Sequence, residues 1–252
     1  MKRMVVVCDG TWQTLSQKTP TSVARLAQAV ESRDEAGVEQ ITYYDSGVGT
    51  PFTVNDRTWW SRLKSMLRRT KQGVFGGGLE KKIYDAYRFL AINYSPGDRI
   101  FLFGFSRGAF TVRSLAGLIY NSGLLYRQNL FELEKAYRLY RDADLKPSSY
   151  TCTQFRKHNS REVDIDFLGC WDTVGMLGVP DLVGAVDFDD WVNARYAFHD
   201  TQLNRRILNA RHACAIDERR EAFPVTPMTP SPSRGPAQVK ERWFIGGHGS
   251  IG

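Results

Sequence analysis

The sequence predicts an α/β protein with a mostly parallel central sheet, and three observations carry that expectation. The apolar run 100–103 ends in Gly104-Phe105-Ser106-Arg107-Gly108 and leads straight into a helix-compatible stretch over 109–119. A helical pattern over 80–92, with Ile83, Tyr84, Tyr87, Leu90 and Ala91 on one face, and a turn at Ser95-Pro96-Gly97-Asp98 precede that run. Helix, strand and helix in this order form part of a parallel crossover unit. Two further strand-like stretches, 4–8 and 163–171, each empty into an aspartate, Asp9 and Asp172.

Taken in order, residues 4–8 read as a buried strand running into Asp9-Gly10-Thr11-Trp12. The turn looks like an aspartyl phosphatase opening, but Val7 stands where the nucleophilic aspartate would be and cannot attack a phosphoryl group. Asp9 then either holds an Asx-type turn or supports a site. Residues 20–30 predict the first helix, capped by Thr19 or Thr21, with Val23, Leu26, Ala27 and Val30 inward. Residues 40–44 predict a strand and 45–51 a turn-rich loop. If helical, 59–71 puts Trp59, Trp60 and Leu63 on one side with its cations mostly elsewhere; such a helix either docks on the core or lies on an anionic membrane surface. Residues 73–78 read as a flexible glycine-rich loop without the Gly-Lys-Ser/Thr ending of a phosphate loop.

Beyond the Ser106 turn, 121–161 is broken and polar, with one helix at 132–140, and reads as an insertion over the site. Residues 163–171 resume the sheet; Asp164 and Asp166 alternate within the strand and Asp172 stands at its end. Residues 190–211 predict a long helix through Trp191, Ala194, Phe198, Leu203, Ile207 and Leu208. Five prolines make 224–236 a loop, and 242–245 is a last short strand before Gly246-Gly247-His248-Gly249-Ser250-Ile251-Gly252.

With 252 residues, 42% of them apolar and 24% charged, the chain suits one domain over 1–252 with a full core. Its apolar runs are too short to span a bilayer. Asp9 interrupts the first of them too early for a signal peptide, so the expected location is cytoplasmic, or exported without a cleavable signal. Cys8, Cys152, Cys170 and Cys214 form no C-x-x-C pair and suit isolated buried thiols. A net charge of +7 favours anionic surfaces, yet it is spread along the chain with no zinc finger, RNP-like motif or basic tail, which argues against nucleic acid.

Gly104-Phe105-Ser106-Arg107-Gly108 fits a G-x-S-x-G nucleophile elbow, where a strained serine stands at the top of a sheet. The flanking glycines leave room where strand and helix come close, and the helix start offers free amides. Downstream, Asp172 and His248 each follow a predicted strand, and the order Ser, acid, His is that of the α/β-hydrolase fold. In that triad His248 takes the Ser106 proton and Asp172 fixes the imidazole tautomer. Candidate oxyanion donors are the Arg107 amide and an amide of Gly10 or Thr11. Asp217 competes with Asp172 as the acid, although Glu218, Arg219 and Arg220 beside it suggest an ion-pair network. His199 and His212, on or beside the predicted long helix, read as structural, and His158 as solvent-facing. No H-x-x-x-H spacing supports a metal, and no cofactor is implied.

Several further stretches then make the chain resemble the DUF2235 family of α/β-hydrolases, which includes type VI secretion phospholipase effectors. They are Cys8-Asp9-Gly10-Thr11-Trp12, Tyr43-Tyr44-Asp45-Ser46-Gly47-Val48-Gly49, Trp171-Asp172-Thr173-Val174-Gly175, Phe198-His199-Asp200-Thr201, residues 212–220, and Trp243-Phe244 before His248. The resemblance implies a three-layer sandwich, Ser106, Asp172 and His248 as triad, and hydrolysis of an ester, lipid or phospholipid, with a membrane surface and an immunity or chaperone protein as candidate partners. Two departures stand out. The family continues past the histidine with a Ser-Asp-Val-Gly-Gly-like stretch and a closing helix, whereas this chain lacks an acidic neighbour of His248 and ends at Gly252. A histidine so near the end frays unless something packs over it. The expectation is a serine esterase of lipase type on a truncated or partner-completed domain; the alternative is a weak or inactive hydrolase-fold module that binds membranes or a partner protein.

Overall fold

The computed structural model describes residues 1–10, 13–15, 17–47, 74–175, 203–220, 223–229 and 239–252. Six strands form one sheet: β1 (Arg3–Cys8), β2 (Gln40–Asp45), β3 (Arg99–Phe105), β6 (Phe167–Trp171), β7 (Ala210–Ala215) and β8 (Val239–Phe244). Their order is β2-β1-β3-β6-β7-β8, and every neighbouring pair is parallel. Strands β4 (Leu124–Leu125) and β5 (Ser160–Arg161) make a separate antiparallel pair.

The apolar runs lack polar alternation because both faces of the sheet are covered. Met4, Val6, Cys8, Ile100 and Leu102 point into the larger core, with Ile83, Tyr87 and Leu90 of α2 (Val74–Asn93) and Leu115 and Leu118 of α3 (Arg107–Ser122). Val5, Val7 and Phe105 point the other way, onto Val23, Leu26 and Ala27 of α1 (Ser22–Ala29). Thr21 caps α1 by accepting the Ala24 amide at 3.1 Å. Helix α3 runs through the middle of the molecule, with fourteen of its sixteen residues buried.

Several sequence expectations change. Residues 74–78 continue α2 instead of forming a loop, so the glycines there are helical. Residues 203–211 are not the end of a long helix: Ala210 opens β7, and Leu203 through Asn209 cross the bottom of the sheet, where Leu208 N donates to Ile165 O. Asp164 and Asp166 precede β6 and hold cations, Asp166 on Arg99 at 2.7 Å and Asp164 on Arg206 at 3.1 Å. Residues 121–161 carry a 3-10 helix (Arg127–Glu132), the expected α4 (Leu133–Arg141) and an unexpected α5 (Tyr150–Asn159) capped by Ser149. The chain closes on α6 (His248–Ile251), and Ser22 at the start of α1 donates to Gly252 O at 2.7 Å. The end expected to fray is thus pinned by α1. Thr11, the segment 59–71 and His199 lie outside the described residues. Among those described, no helix is long and apolar enough to cross a membrane.

Candidate active site

All of β1, β3, β6, β7 and β8 deliver their following residues to one edge of the sheet, the carboxyl end where open α/β sheets place their sites. Strand β3 ends in Ser106, which caps α3 at φ 57° and ψ −122°. A side chain at Gly104 would sit 2.4 Å from Gly108 O, and one at Gly108 would sit 2.1 Å from Cys8 O. The glycines around the serine are therefore required by backbone packed on backbone, as the elbow predicts. Trp171 O accepts the Ser106 amide at 3.0 Å and fixes the turn against β6.

Strand β6 ends in Asp172, fully buried and also at positive φ, 40°. Its amide donates to Ala213 O at 2.7 Å, and its Oδ1 accepts the Ala215 amide at 2.7 Å. The free oxygen, Oδ2, lies 2.5 Å from His248 Nδ1, and His248 Nε2 lies 2.8 Å from Ser106 Oγ. Ser106, His248 and Asp172 thus form one continuous, buried hydrogen-bonded array. The carboxylate puts the imidazole proton on Nδ1 and leaves the Nε2 lone pair for the serine hydroxyl. Two rings clasp the imidazole: Phe105 at 4.7 Å and Phe223 at 4.9 Å, both tilted by about 30°.

An acidic side chain from the loop after β7 meets the backbone of His248. Glu218 Oε2 accepts the His248 amide at 3.0 Å, at the start of α6. Arg220 grips the same carboxylate at 2.6 Å and 2.7 Å, and its guanidinium lies 4.3 Å from the centre of the Phe223 ring. Hydrogen bonding to Arg220 chiefly pulls the Glu218 carboxyl down to about 2, so it is charged at neutral pH.

The remaining expected residues divide. Arg107 opens α3, so its amide has no carbonyl one turn back to bond. Its guanidinium is pulled down to about 10 by burial, and Nε has no hydrogen-bond partner among the described residues. Gly10 gives its amide to Asp9 Oδ1 at 2.7 Å, and a side chain there would meet Phe105 at 2.7 Å. Asp9 is a scaffold: its carboxylate also accepts Tyr44 Oη at 2.6 Å and Thr21 Oγ1 at 2.9 Å, tying β1 to β2 and to the cap of α1. Burial outweighs these bonds and raises its carboxyl above the usual range. Asp217 is exposed and accepts the Gly246 amide at 2.8 Å, shaping the loop before His248.

His212 is buried, as a structural histidine should be, but on strand β7 and not on a helix. It forms a second line of contacts: Glu241 Oε2 lies 2.8 Å from Nδ1, and the Thr173 amide donates to Nε2 at 3.0 Å. His158 is exposed. Among the described residues His212, Cys214 and Glu241 come nearest to a metal-binding set, their ligand atoms lying within 4.8 Å of one another. The Thr173 amide already donates to Nε2 and Glu241 already faces Nδ1, so a cation would have to displace one of these hydrogen bonds. Burial pushes the Cys214 thiol up to about 12, away from the thiolate a metal needs.

Sequence reasoning missed three contributors. Glu218 was visible only as one of an ion-pair cluster, and nothing local marked Phe223 or Glu241.

Together the sheet order and the serine elbow define an α/β-hydrolase-type domain. The chain belongs to the family described as type VI secretion phospholipase effector Tle1-like, catalytic domain, whose model matches residues 2–252. It is 33% identical over 245 residues to the Saccharomyces cerevisiae protein YEL023C, covering 92% of this chain and 33% of that one. Among solved structures it resembles a Pseudomonas aeruginosa protein with a TM-score of 0.51 at 18% identity, covering 100% of this chain and 41% of the other. A Tle1 effector bound to the VgrG spike of the type VI secretion system matches at 17% identity, with a TM-score of 0.46 and coverage of 99% and 50%. The chain thus spans a third to a half of the length of these proteins.

Proposed function

We propose that this domain is a serine hydrolase that cleaves carboxylic esters of lipids, phospholipids included, through an acyl-enzyme. One observation carries the reading: Ser106 Oγ, His248 and Asp172 connect through contacts of 2.8 Å and 2.5 Å at a strained elbow. In the reaction His248 Nε2 takes the Ser106 proton as Oγ attacks the ester carbonyl, and Asp172 stabilises the imidazolium. The Arg107 amide and an amide of the Gly10–Thr11 turn meet the oxyanion, although Asp9 already engages the Gly10 amide. Collapse of the intermediate passes the proton from His248 to the leaving alcohol. Water, activated by the same nitrogen, then releases the acid and restores Ser106.

Family membership supports a lipid as substrate. So does the apolar surface beside the site: Trp243, Phe244 and Ile245 are exposed just before the His248 turn, and Ile216 stands next to them. The inactive-module alternative leaned on the missing acid and the loose end of the chain. Against that alternative, Glu218 accepts the His248 amide and Ser22 on α1 donates to Gly252 O, so the histidine's turn is held from two sides.

Fluorophosphonate labelling with site mapping, alongside turnover of a short-chain ester, tests the reading. Labelling at Ser106, with label and turnover both lost in Ser106→Ala, is the expected result. A folded protein that neither labels nor turns over overturns it; after a positive result, a phospholipid panel decides the substrate.

A further inference from the structure

A carboxylate, an imidazole and a hydroxyl line up a second time beside the array, in Glu241, His212 and Thr173, and nothing in the proposed reaction uses them. We propose that His212 is a positioning residue: held by Glu241 as its neutral Nδ1–H tautomer, it presents Nε2 as the acceptor that fixes the Thr173 amide and, through it, the strained turn carrying Asp172. The inference rests on the reading of Asp172 as the acid of the array.

Hydrogen bonding sets the tautomer. Thr173 N is a donor 3.0 Å from Nε2, so that nitrogen must offer a lone pair, and the ring proton sits on Nδ1 facing Glu241 Oε2 at 2.8 Å. Glu241 Oε2 also accepts the Met228 amide at 2.9 Å and is itself held in place. Asp172 is a non-glycine residue at φ 40°, a conformation that persists only when its surroundings enforce it. Strand β7 supplies that enforcement from three sides. Ala213 O accepts the amide of Asp172, the Ala215 amide donates to its carboxylate, and the His212 ring accepts the amide of the next residue, Thr173. The first two are ordinary backbone groups, available to any sequence. The third needs a side chain that reaches back to the turn with an acceptor at its tip.

Protonation of His212 would set an Nε2 proton against the Thr173 amide proton and open the clamp. Several charged or ionisable groups face the ring: Glu241 on β8, Asp172 on the turn, Arg113 on α3, Cys170 on β6 and Cys214 on β7 itself. The two carboxylates favour the charged ring and Arg113 opposes it, as does burial, which is the largest influence and moves the ring below its ordinary range.

The decisive experiment is NMR on the 252-residue protein at neutral pH. Ring 15N shifts report the His212 tautomer, and the low-field proton of the Asp172–His248 bond reports the geometry of the acid turn. His212→Leu removes the acceptor, while His212→Gln keeps a carbonyl within reach of Thr173 and cannot titrate. The expected result is a protonated Nδ1 with a bare Nε2 in the unaltered protein, and a low-field proton displaced or lost in His212→Leu but retained in His212→Gln. In turnover, His212→Leu should lower kcat by about 10- to 100-fold with KM unchanged, because misplacing a catalytic group by an ångström costs on that order. An Nε2–H tautomer or an imidazolium in the unaltered protein overturns the inference even if His212→Leu fails to fold. So does a folded His212→Leu with an unchanged low-field proton. The NMR needs no substrate, so absence of ester turnover would sink the proposed function without touching this result.

Discussion

Ser106 and Asp172 are the two non-glycine residues at positive φ among the described residues, and both belong to the array. Strain of this kind costs on the order of 1–3 kcal/mol per residue and is kept where the surrounding structure over-determines it. Around Ser106 the enforcement comes from backbone contact at Gly104 and Gly108. Gly108→Ala would put a methyl group 2.1 Å from Cys8 O and 2.6 Å from Asp9 O, where a strand end blocks any escape. We expect a loss of about 3 kcal/mol, the upper part of the range for overpacked sites. A urea denaturation midpoint indistinguishable from that of the parent protein would contradict this.

Helices α1 and α6 form a unit around the histidine. Thr21 caps α1, bonds Asp9 and precedes Ser22, which holds the last residue of the chain through its amide. Thr21→Ala should therefore cost about 1–2 kcal/mol, at or above the usual worth of an N-cap. Amide exchange at α6 should speed up with it; protection unchanged there would mean that the two helices are not coupled. Glu218 works from the opposite side. Its carboxyl is lowered to about 2 from 4.5, so its contribution is complete above about pH 4.5 and is lost as pH falls toward 2. Glu218→Gln should flatten the fall in stability over that window, measured by denaturant titration at stepped pH. A variant whose stability falls as steeply as the parent's would count against the anchor.

At the scale of the molecule, the sheet order gathers residues that are far apart in the chain. His248 is 142 positions from Ser106 and 76 from Asp172, yet bonded to both. The same gathering buries His212 between strands, and this has a consequence for the whole fold. A ring whose folded-state value lies below its ordinary 6.5 takes up a proton more readily in the unfolded chain. Stability should hold above about pH 6.5 and decline below it, before the Glu218 window opens. In His212→Gln that first decline should be absent. If the two proteins track each other between pH 6.5 and 5, the buried ring is not the source.

Much of this architecture was legible from local sequence. The elbow, the aspartate ending β6, the capped α1 and the long α2 follow from short-range patterns: an apolar run, a glycine pair, a cap, a 3.6-residue period. Strand β7 was hidden, because Leu203, Ile207 and Leu208 mimic a helical stripe and Ala210–Ala215 contains three alanines without strand preference. Only pairing with β6 and β8 makes that segment extended. Helix α5 was masked in the same way by its polar sequence, since its hold on the fold lies in buried Cys152 and Phe155. The sequence by itself determined the class of the domain and the three residues of the array, because each stands at a strand end with a local signature. What tertiary structure alone decided is how those residues are held: Glu218 on the His248 amide, Phe223 on its ring, and Glu241 and His212 on the acid turn. The hydrogen bonds among these contacts join residues 29 to 39 positions apart and leave no periodic trace along the chain.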